Sequence, residues 1–288
     1  MSDPGAAQRF DLGGVTVTLI DGGALRLDGG AMFGIIPKVL WQRRSPADER
    51  NRIQLACNCL LVEWTGSERR AIIETGHGHK YDAKEQDIFA IDPARWLAVG
   101  LEQVGVEPES ITDVVLTHLH FDHAGGLTRV VDGHLRPTFS DAQVHVQMRE
   151  YDDAKGGFGI MTATYRAENF DPLDGAGLWH LLEGEAEVLP GLRPLLTPGH
   201  TRGHQALLIR GRERTAVFPG DLMPTAAHVG AAYNMAYDLF PLDNRESKNR
   251  VLRQAAAEGW LIFLDHEPQT PVMRAVVEKD WYRLEPYE

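Results

Sequence analysis

Residues 117–126 read Thr-His-Leu-His-Phe-Asp-His-Ala-Gly-Gly, which places three imidazoles and one carboxylate, His118, His120, Asp122 and His123, within six positions. Side chains at i, i+2 and i+4 of an extended chain share a face, so His118, His120 and Asp122 are expected to converge while His123 points elsewhere. Imidazole nitrogens and carboxylate oxygens are metal donors, with bonds to zinc of about 2.0–2.2 Å and normally four ligands per ion. One ion does not easily accept all four residues, whereas two neighbouring ions can divide them. The apolar run Val114-Val115-Leu116 directly ahead has the character of a buried strand bounded by a turn, so the cluster is expected at a strand end.

The pattern His-x-His-x-Asp-His resembles the signature of the metallo-β-lactamase superfamily of hydrolases. That resemblance implies three further ligands downstream. Matching contexts occur at His200 in Thr197-Pro198-Gly199-His200-Thr201, Asp221 in Phe218-Pro219-Gly220-Asp221, and His266 in Leu264-Asp265-His266. It further implies two divalent metal ions, one held by His118, His120 and His200, the other by Asp122, His123 and His266, with Asp221 bridging. Two ions about 3.5–4 Å apart can share a water, lower its pKa towards neutrality, and leave one ion free to polarise a carbonyl or phosphoryl oxygen. The shared hydroxide would attack, and Asp122 would orient it and pass a proton to the leaving oxygen. Asp122 and Asp221 are therefore the expected catalytic carboxylates. Relatives that run di-iron redox chemistry carry Glu where this chain has His120, so the hydrolytic version is expected. Zinc is the expected metal, although manganese, iron or cobalt suit the same donors.

The remaining histidines fit less active roles. His77 and His79 look like another ligand pair, but the resemblance places them in a turn beneath the site. His204, four residues after His200, is expected to support the cluster by hydrogen bonding. His134, His145, His180 and His228 have no spacing partner. Cys57 and Cys59 lie two apart in the apparent strand Leu55 to Val62, a poor geometry for a disulfide, so buried free thiols and a reducing, cytoplasmic setting are expected.

Within the superfamily, residues 30–41 (Gly-Ala-Met-Phe-Gly-Ile-Ile-Pro-Lys-Val-Leu-Trp), residues 46–51, Phe121 and Met235-Ala236-Tyr237-Asp238 are similar to the N-acyl homoserine lactone hydrolases, the quorum-quenching lactonases. A small lactone with an acyl chain is the substrate this implies. An apolar slot would be needed, and Met32, Phe33, Ile35, Trp41, Phe158, Met161 and Met235 are its candidates. One departure stands out. Lactonases of this kind carry a substrate-contacting Tyr three residues after the bridging Asp, where this chain has Pro224, so Tyr233 or Tyr237 is the candidate for the missing hydroxyl. A phosphotriesterase or arylesterase on the same two metals is the nearest alternative. A glyoxalase-II-like thioesterase would want basic residues grouped late in the chain, where Arg274, Lys279 and Arg283 are scattered among acids. A non-catalytic binding protein would have been suggested by a lost ligand, and none is lost.

The elements that position these residues follow from hydrophobic patterning. Strands are expected near residues 15–20, 55–63, 71–74, 113–116, 143–146, 195–197, 206–209, 215–218 and 261–264, with helices between them. Asp92-Pro93 suggests a capped helix running through Trp96, Leu97, Val99 and Leu101 to Gly105. Asp243, three residues ahead of Glu246, suggests a capping box opening a helix that ends at Gly259. The resemblance implies an α/β fold, the αββα sandwich of two mixed β-sheets with helices outside, as one domain over residues 1–288. Residues 30–51 and 156–187 have the look of insertions that would wall the substrate pocket, helped by a partner subunit in a homodimer.

Composition agrees with this frame. The 288-residue chain is 43% hydrophobic and 24% charged, with no disordered bias. Its net charge of −12 opposes nucleic-acid binding. No apolar stretch approaches a membrane span, and Met1-Ser2-Asp3-Pro4 has no leader character, so neither membrane insertion nor secretion is expected.

Overall fold

The computed structural model describes residues 8–159 and 162–287, so Met161 lies outside the described residues. Two mixed sheets form the body. The first runs β1 (Arg9–Asp11), β2 (Val15–Asp28), β3 (Arg52–Trp64), β4 (Arg70–Ile73) and β5 (Asp113–Val115). After a separate hairpin, β6 (Thr128–Val131) with β7 (His134–Pro137), it is completed by β8 (Gln143–Gln147) and β9 (Trp179–Leu182). Pairing is antiparallel from β1 to β4 and parallel from β4 through β5 and β8 to β9. The second sheet contains β10 (Leu192–Leu196), β11 (Gln205–Arg210), β12 (Thr215–Phe218), β13 (Leu261–Phe263), β14 (Val272–Glu278) and β15 (Trp281–Pro286), antiparallel except between β12 and β13.

Alternation along these strands explains the layering. In β3, Leu60 and Val62 face the second sheet, where they meet Leu207, Phe218 and Phe263, while Cys59 and Leu61 face the outer helices. A strand buried on both faces reads as a continuous apolar run, as residues 59–62 do. On the outer face of the first sheet lie α4 (Leu97–Gln103), α6 (Met148–Gly156) and α7 (Ala167–Ala176), through Leu97, Leu101, Ala154, Phe170 and Leu173. The second sheet is covered by α8 (Pro241–Glu258) through Val251, Leu252 and Ala255. The layers are therefore helix, sheet, sheet, helix, as expected. Three short helices complete the set near the site: α1 (Gly29–Phe33), α2 (Lys38–Trp41) and α5 (Phe121–Ala124), with α3 (Ala83–Phe89) beside them.

Several expectations need correction. The Asp92 side chain accepts from Ala94 N at 2.9 Å, and Arg95 reaches back to Asp21. The chain thus turns before α4 begins at Leu97, and no helix starts at Pro93. In α8, Pro241 occupies the first helical position, where its missing N–H costs nothing, so Asp243 lies inside the first turn and no capping box forms. Gly259, at φ 66°, ends the helix as expected. Residues 156–187 are only partly an insertion, because Phe170, Leu173 and Leu178 pack in the core and β9 is the sheet's edge strand. Both cysteines are buried free thiols.

Candidate metal centre

β5 stops at Val115, and the chain then leaves the sheet with the Thr117 N–H donating to Glu74 Oε1 at 2.6 Å. His118 and His120 follow, and His120, in extended backbone, is the N-cap of α5, so Asp122 and His123 ride on a helical turn. Asp122 does not share the strand face of the two histidines. The helical turn instead separates the residues into two adjoining groups.

The first group is His118, His120, His200 and Asp221; the second is Asp122, His123 and His266. Within each, one donor atom per residue lies within 4.8 Å of every other. His200 Nε2 is 3.1 Å from His120 Nδ1 and 3.1 Å from Asp221 Oδ2, and His118 Nε2 is 3.9 Å from the same carboxylate oxygen. On the other side, His266 Nε2 lies 3.2 Å from Asp221 Oδ1, 3.3 Å from His123 Nε2 and 3.7 Å from Asp122 Oδ2. Asp221 therefore stands between the groups, with Oδ1 towards His266 and Oδ2 towards His200, His118 and His123. All seven residues named from the sequence meet here.

Close backbone approaches explain the glycines of these motifs. A Cβ on Gly125 would sit 2.1 Å from the His77 carbonyl oxygen. Gly220, at φ 53°, would push a Cβ to 2.7 Å from Thr117 Oγ1.

The opposite nitrogen of most rings is fixed from behind. His118 Nδ1 meets Thr117 Oγ1 at 3.0 Å, His200 Nδ1 meets Asp238 Oδ1 at 2.9 Å, and His266 Nδ1 meets the Ala56 carbonyl at 2.7 Å. Such partners select the tautomer that leaves the facing nitrogen as a lone pair. Burial pushes His118 and His120 well below the usual imidazole range, and the neighbouring histidines push in the same direction. Burial also opposes charge on His123 and His266, but Asp221, Asp265 and Asp122 outweigh it at His123, and Asp265 and Asp221 do so at His266, raising both. Burial disfavours ionised Asp221, yet His200, His123 and His266 hold its carboxyl well below the usual carboxylate range. Two imidazoles favouring the neutral form, His118 and His120, beside an ionised carboxylate form a cation site, and Asp221 and Asp238 raise the third, His200, against its burial. Buried His118 Nε2 and Asp221 Oδ1 have no hydrogen-bond partner among the described residues, and a cation would satisfy both. The donor set fits a pair of divalent ions.

Above the groups lies a pocket whose floor includes His120, Asp122, His200, Asp221 and His266. Its walls are mostly apolar, among them Leu27, Met32, Phe89, Phe121, Phe158 and Met235, with Tyr165, Arg166 and Tyr237. Met32, Phe158, Met235 and Tyr237 are thus where the sequence reading placed them. Phe33 and Trp41 are not: they stack at 5.2 Å in the core, 0% and 1% exposed, and act as the packing beneath α1. Ile35 is 86% exposed. Tyr233 packs edge-on against Phe33 and faces a separate cleft, so only Tyr237 supplies a phenol to the pocket from that loop.

Residues the sequence did not single out complete the surroundings. Glu74 and Asp265 back His123, Asp238 backs His200, and fully buried Glu150 accepts from Leu119 N, Thr201 Oγ1 and Tyr165 Oη. Asp238 and Asp265 adjoin motifs that were read, which was their available signal. Glu150, in the charged stretch Arg149 to Asp153, had none. His77 and His79 belong to neither donor group. His77 Nδ1 meets the Gly78 carbonyl, and His79 Nε2 accepts from Val130 N. His204 is buried beside His118 with Nδ1 on Thr197 Oγ1, so its hydrogen bond goes to the turn that carries His200 and to none of the seven ligands. His145 does have a partner, Asp113, at 2.8 Å.

The family follows from these features together. A sandwich of two mixed sheets carrying His-x-His-x-Asp-His and three later ligands is matched by the family model for the metallo-beta-lactamase superfamily over residues 52–266, and the chain belongs to that superfamily. Among its relatives, an N-acyl homoserine lactonase from Bacillus cereus is 37% identical over 110 residues, 38% of this chain and 37% of that protein. The match thus spans well under half the length of that curated relative. A solved probable metal-dependent hydrolase from Staphylococcus aureus is 28% identical and superposes with a TM-score of 0.86, covering 97% of this chain and all of that one. AidC, a dizinc quorum-quenching lactonase solved with the product N-hexanoyl-L-homoserine, shares the fold at 19% identity and TM-score 0.80, with 98% of each chain covered.

Proposed function

We propose that this protein is a dinuclear metal-dependent hydrolase that opens lactone rings, with N-acyl homoserine lactones as substrates. The observation that carries this reading is the pair of donor groups sharing Asp221 at the floor of an apolar pocket. His118, His120 and His200 would hold one ion and Asp122, His123 and His266 the other, with Asp221 common to both. When bound, such ions, zinc by preference, supply Lewis-acid activation of water and of an ester carbonyl. The chain's own residues do the rest. Asp122, at the pocket floor, holds a proton acceptor beside the reacting ester and is the group that returns the proton to the ring oxygen as it leaves. The apolar walls take up the acyl chain and exclude water. Tyr237 presents a half-buried hydroxyl with no hydrogen-bond partner among the described residues, and burial and nearby carboxylates hold its phenol up to about 12, so it stays a donor for the substrate carbonyl. It takes over the place left by Pro224.

Among the described residues, Arg166 is the one arginine or lysine lining the pocket, which counts against a polyanionic substrate. Arg166 is paired with Glu85 and Glu168 and lies over the rings of Tyr81 and Phe121, at 4.8 and 5.7 Å, so little of its charge is free. Arg274 and Arg283 line other clefts, which removes the grip a glutathione thioester would need.

The test is to measure metal content and then ring opening of short- and long-chain acyl homoserine lactones against paraoxon and a simple aryl ester. Two ions per chain and a preference for the lactones are expected. A strong preference for paraoxon would overturn the lactonase reading and leave the dinuclear site standing, and metal-free, metal-insensitive protein would overturn both.

A further inference from the structure

His123 differs from the other six residues of the cluster in what stands behind it. Its Nε2 faces Asp221 at 3.6 Å, while its Nδ1 lies 3.0 Å from Asp265 Oδ2 and 3.2 Å from Glu74 Oε2. Two carboxylates, 1% exposed each, converge on one ring nitrogen. A neutral imidazole has a single N–H to offer, so it satisfies one of them at a time. Glu74 Oε2 and Asp265 Oδ2 each lie within ion-pair distance of His123 Nδ1, but none of these three atoms has a well-formed hydrogen bond among the described residues. Unpaired buried carboxylates are costly, and a structure that keeps two of them side by side has a use for their charge.

Glu74 also ties the two donor groups together. Its Oε1 accepts the Thr117 N–H at 2.6 Å, and Thr117 Oγ1 meets His118 Nδ1. The next residue, Thr75, donates from both N and Oγ1 to the His123 carbonyl, at 2.8 and 2.7 Å. Glu74 itself sits at φ 64°, a strained backbone for a non-glycine residue, at the point where β4 ends. Asp265 comes from the opposite sheet, just after β13. His123 is thus clamped from both halves of the sandwich. Among the described residues, no other ring in the cluster has two carboxylates behind it. His118 rests on a hydroxyl, His266 on a carbonyl with Asp265 Oδ1 further off at 3.8 Å, and His200 on Asp238.

We propose that Glu74 and Asp265 are paired positioning residues for the second metal position: they lock His123 with its proton on Nδ1 and its Nε2 lone pair inward, and their charge sets that position's affinity apart from the three-histidine one. The inference rests on the dinuclear reading above. The two carboxylates back each other up, so removing one leaves the other as acceptor, while removing both frees the ring to turn or change tautomer. Losing an outer-shell partner of a metal-binding histidine typically weakens metal binding by about 10–100-fold.

The experiment uses Glu74→Gln, Asp265→Asn and the double variant, each loaded with zinc and dialysed against graded chelator, with metal per chain as the readout. Glu74→Gln keeps a carbonyl to accept from Thr117 N. Each single variant is expected to shed one ion at roughly 10-fold lower chelator than the parent, and the double variant to retain one ion per chain. Cobalt loading gives a second readout, because the absorption of the three-histidine position should persist in the double variant while that of the other disappears. Parent protein that holds two ions beside variants with unchanged chelator resistance would overturn this proposal alone. Parent protein that holds none would overturn the dinuclear reading. Variants whose metal-free melting temperature falls while both ions stay equally tight would assign the pair a purely structural role, and that also overturns it.

Discussion

At the residue scale, the seven donor residues were legible because their chemistry is concentrated in short motifs, whereas the groups behind them are ordinary carboxylates brought close by the fold. Tyr237 illustrates the middle case: spacing allowed Tyr233 or Tyr237, and only packing of Tyr233 against Phe33 decides between them. Tyr237→Phe is expected to lower kcat/KM for an acyl homoserine lactone by about 10-fold, the order of a lost hydrogen bond, whereas Tyr233→Phe leaves it unchanged. Equal turnover in both variants, followed by steady-state ring opening, would remove Tyr237 from the mechanism. His228 makes a prediction about pH. It is buried with Nδ1 on Thr225 Oγ1 and Nε2 on the Met32 carbonyl, and burial lowers it to about 4 from its ordinary 6.5. As pH falls, the unfolded chain takes up this proton first, so stability present above 6.5 is lost down to about 4. At about 1.4 kcal/mol per pH unit, the interval is worth about 3 kcal/mol. His228→Gln should flatten the dependence of urea midpoint on pH between those limits, and a parallel curve would refute the assignment.

At the scale of elements, nine strand positions could be read from apolar runs because both faces of the central strands are buried, but the short β1, β6 and β7 and the outer β9, β14 and β15 could not. The edge strands β9 and β15 and the neighbouring β14 carry mixed residues, such as half-buried Trp281 and Tyr282 beside exposed Arg283, whose pattern has no clean period. Helix starts were misplaced where a side chain took another partner, as Arg95 did with Asp21, while the stop at Gly259 was correct because a left-handed residue leaves a strong sequence mark. Two glycines at element ends separate a conformational role from a steric one. A Cβ at Gly259 meets nothing within 4 Å, so Gly259→Ala is expected to lower stability by about 1–2 kcal/mol, the cost of left-handed backbone, with metal content unchanged. Gly220→Ala adds a collision with Thr117, whose hydroxyl holds His118, and should reduce metal per chain as well. Chemical denaturation and metal analysis of the two variants side by side test both halves of that claim. Metal loss in Gly259→Ala, or full loading in Gly220→Ala, would contradict it.

At the scale of the whole molecule, the candidate centre joins the two sheets. His118, His120, Asp122 and His123 follow β5 of the first sheet, whereas His200, Asp221 and His266 follow β10, β12 and β13 of the second. Between the sheets lies a core of Val17, Leu60, Val62, Leu207, Phe218 and Phe263 that needs no ion to cohere. Removing the metals should therefore leave the fold in place while loosening the end of the sandwich where the ligands meet. Ions bound at 1,000 times their Kd contribute about 4 kcal/mol each, and for chains of 150–250 residues 1 kcal/mol moves Tm by roughly 2–4 °C, so chelation is expected to lower Tm by something on the order of 10 °C or more. Hydrogen exchange locates the effect. Amides around residues 118–124, 199–201, 220–222 and 265–267 should exchange faster in the metal-free protein, while those of β3 and β11 in the central core keep their protection. Uniform loss of protection would mean that the ions hold the whole fold together and not its ligand-bearing end. An unchanged Tm with unchanged exchange would mean that the seven side chains meet without gripping any ion.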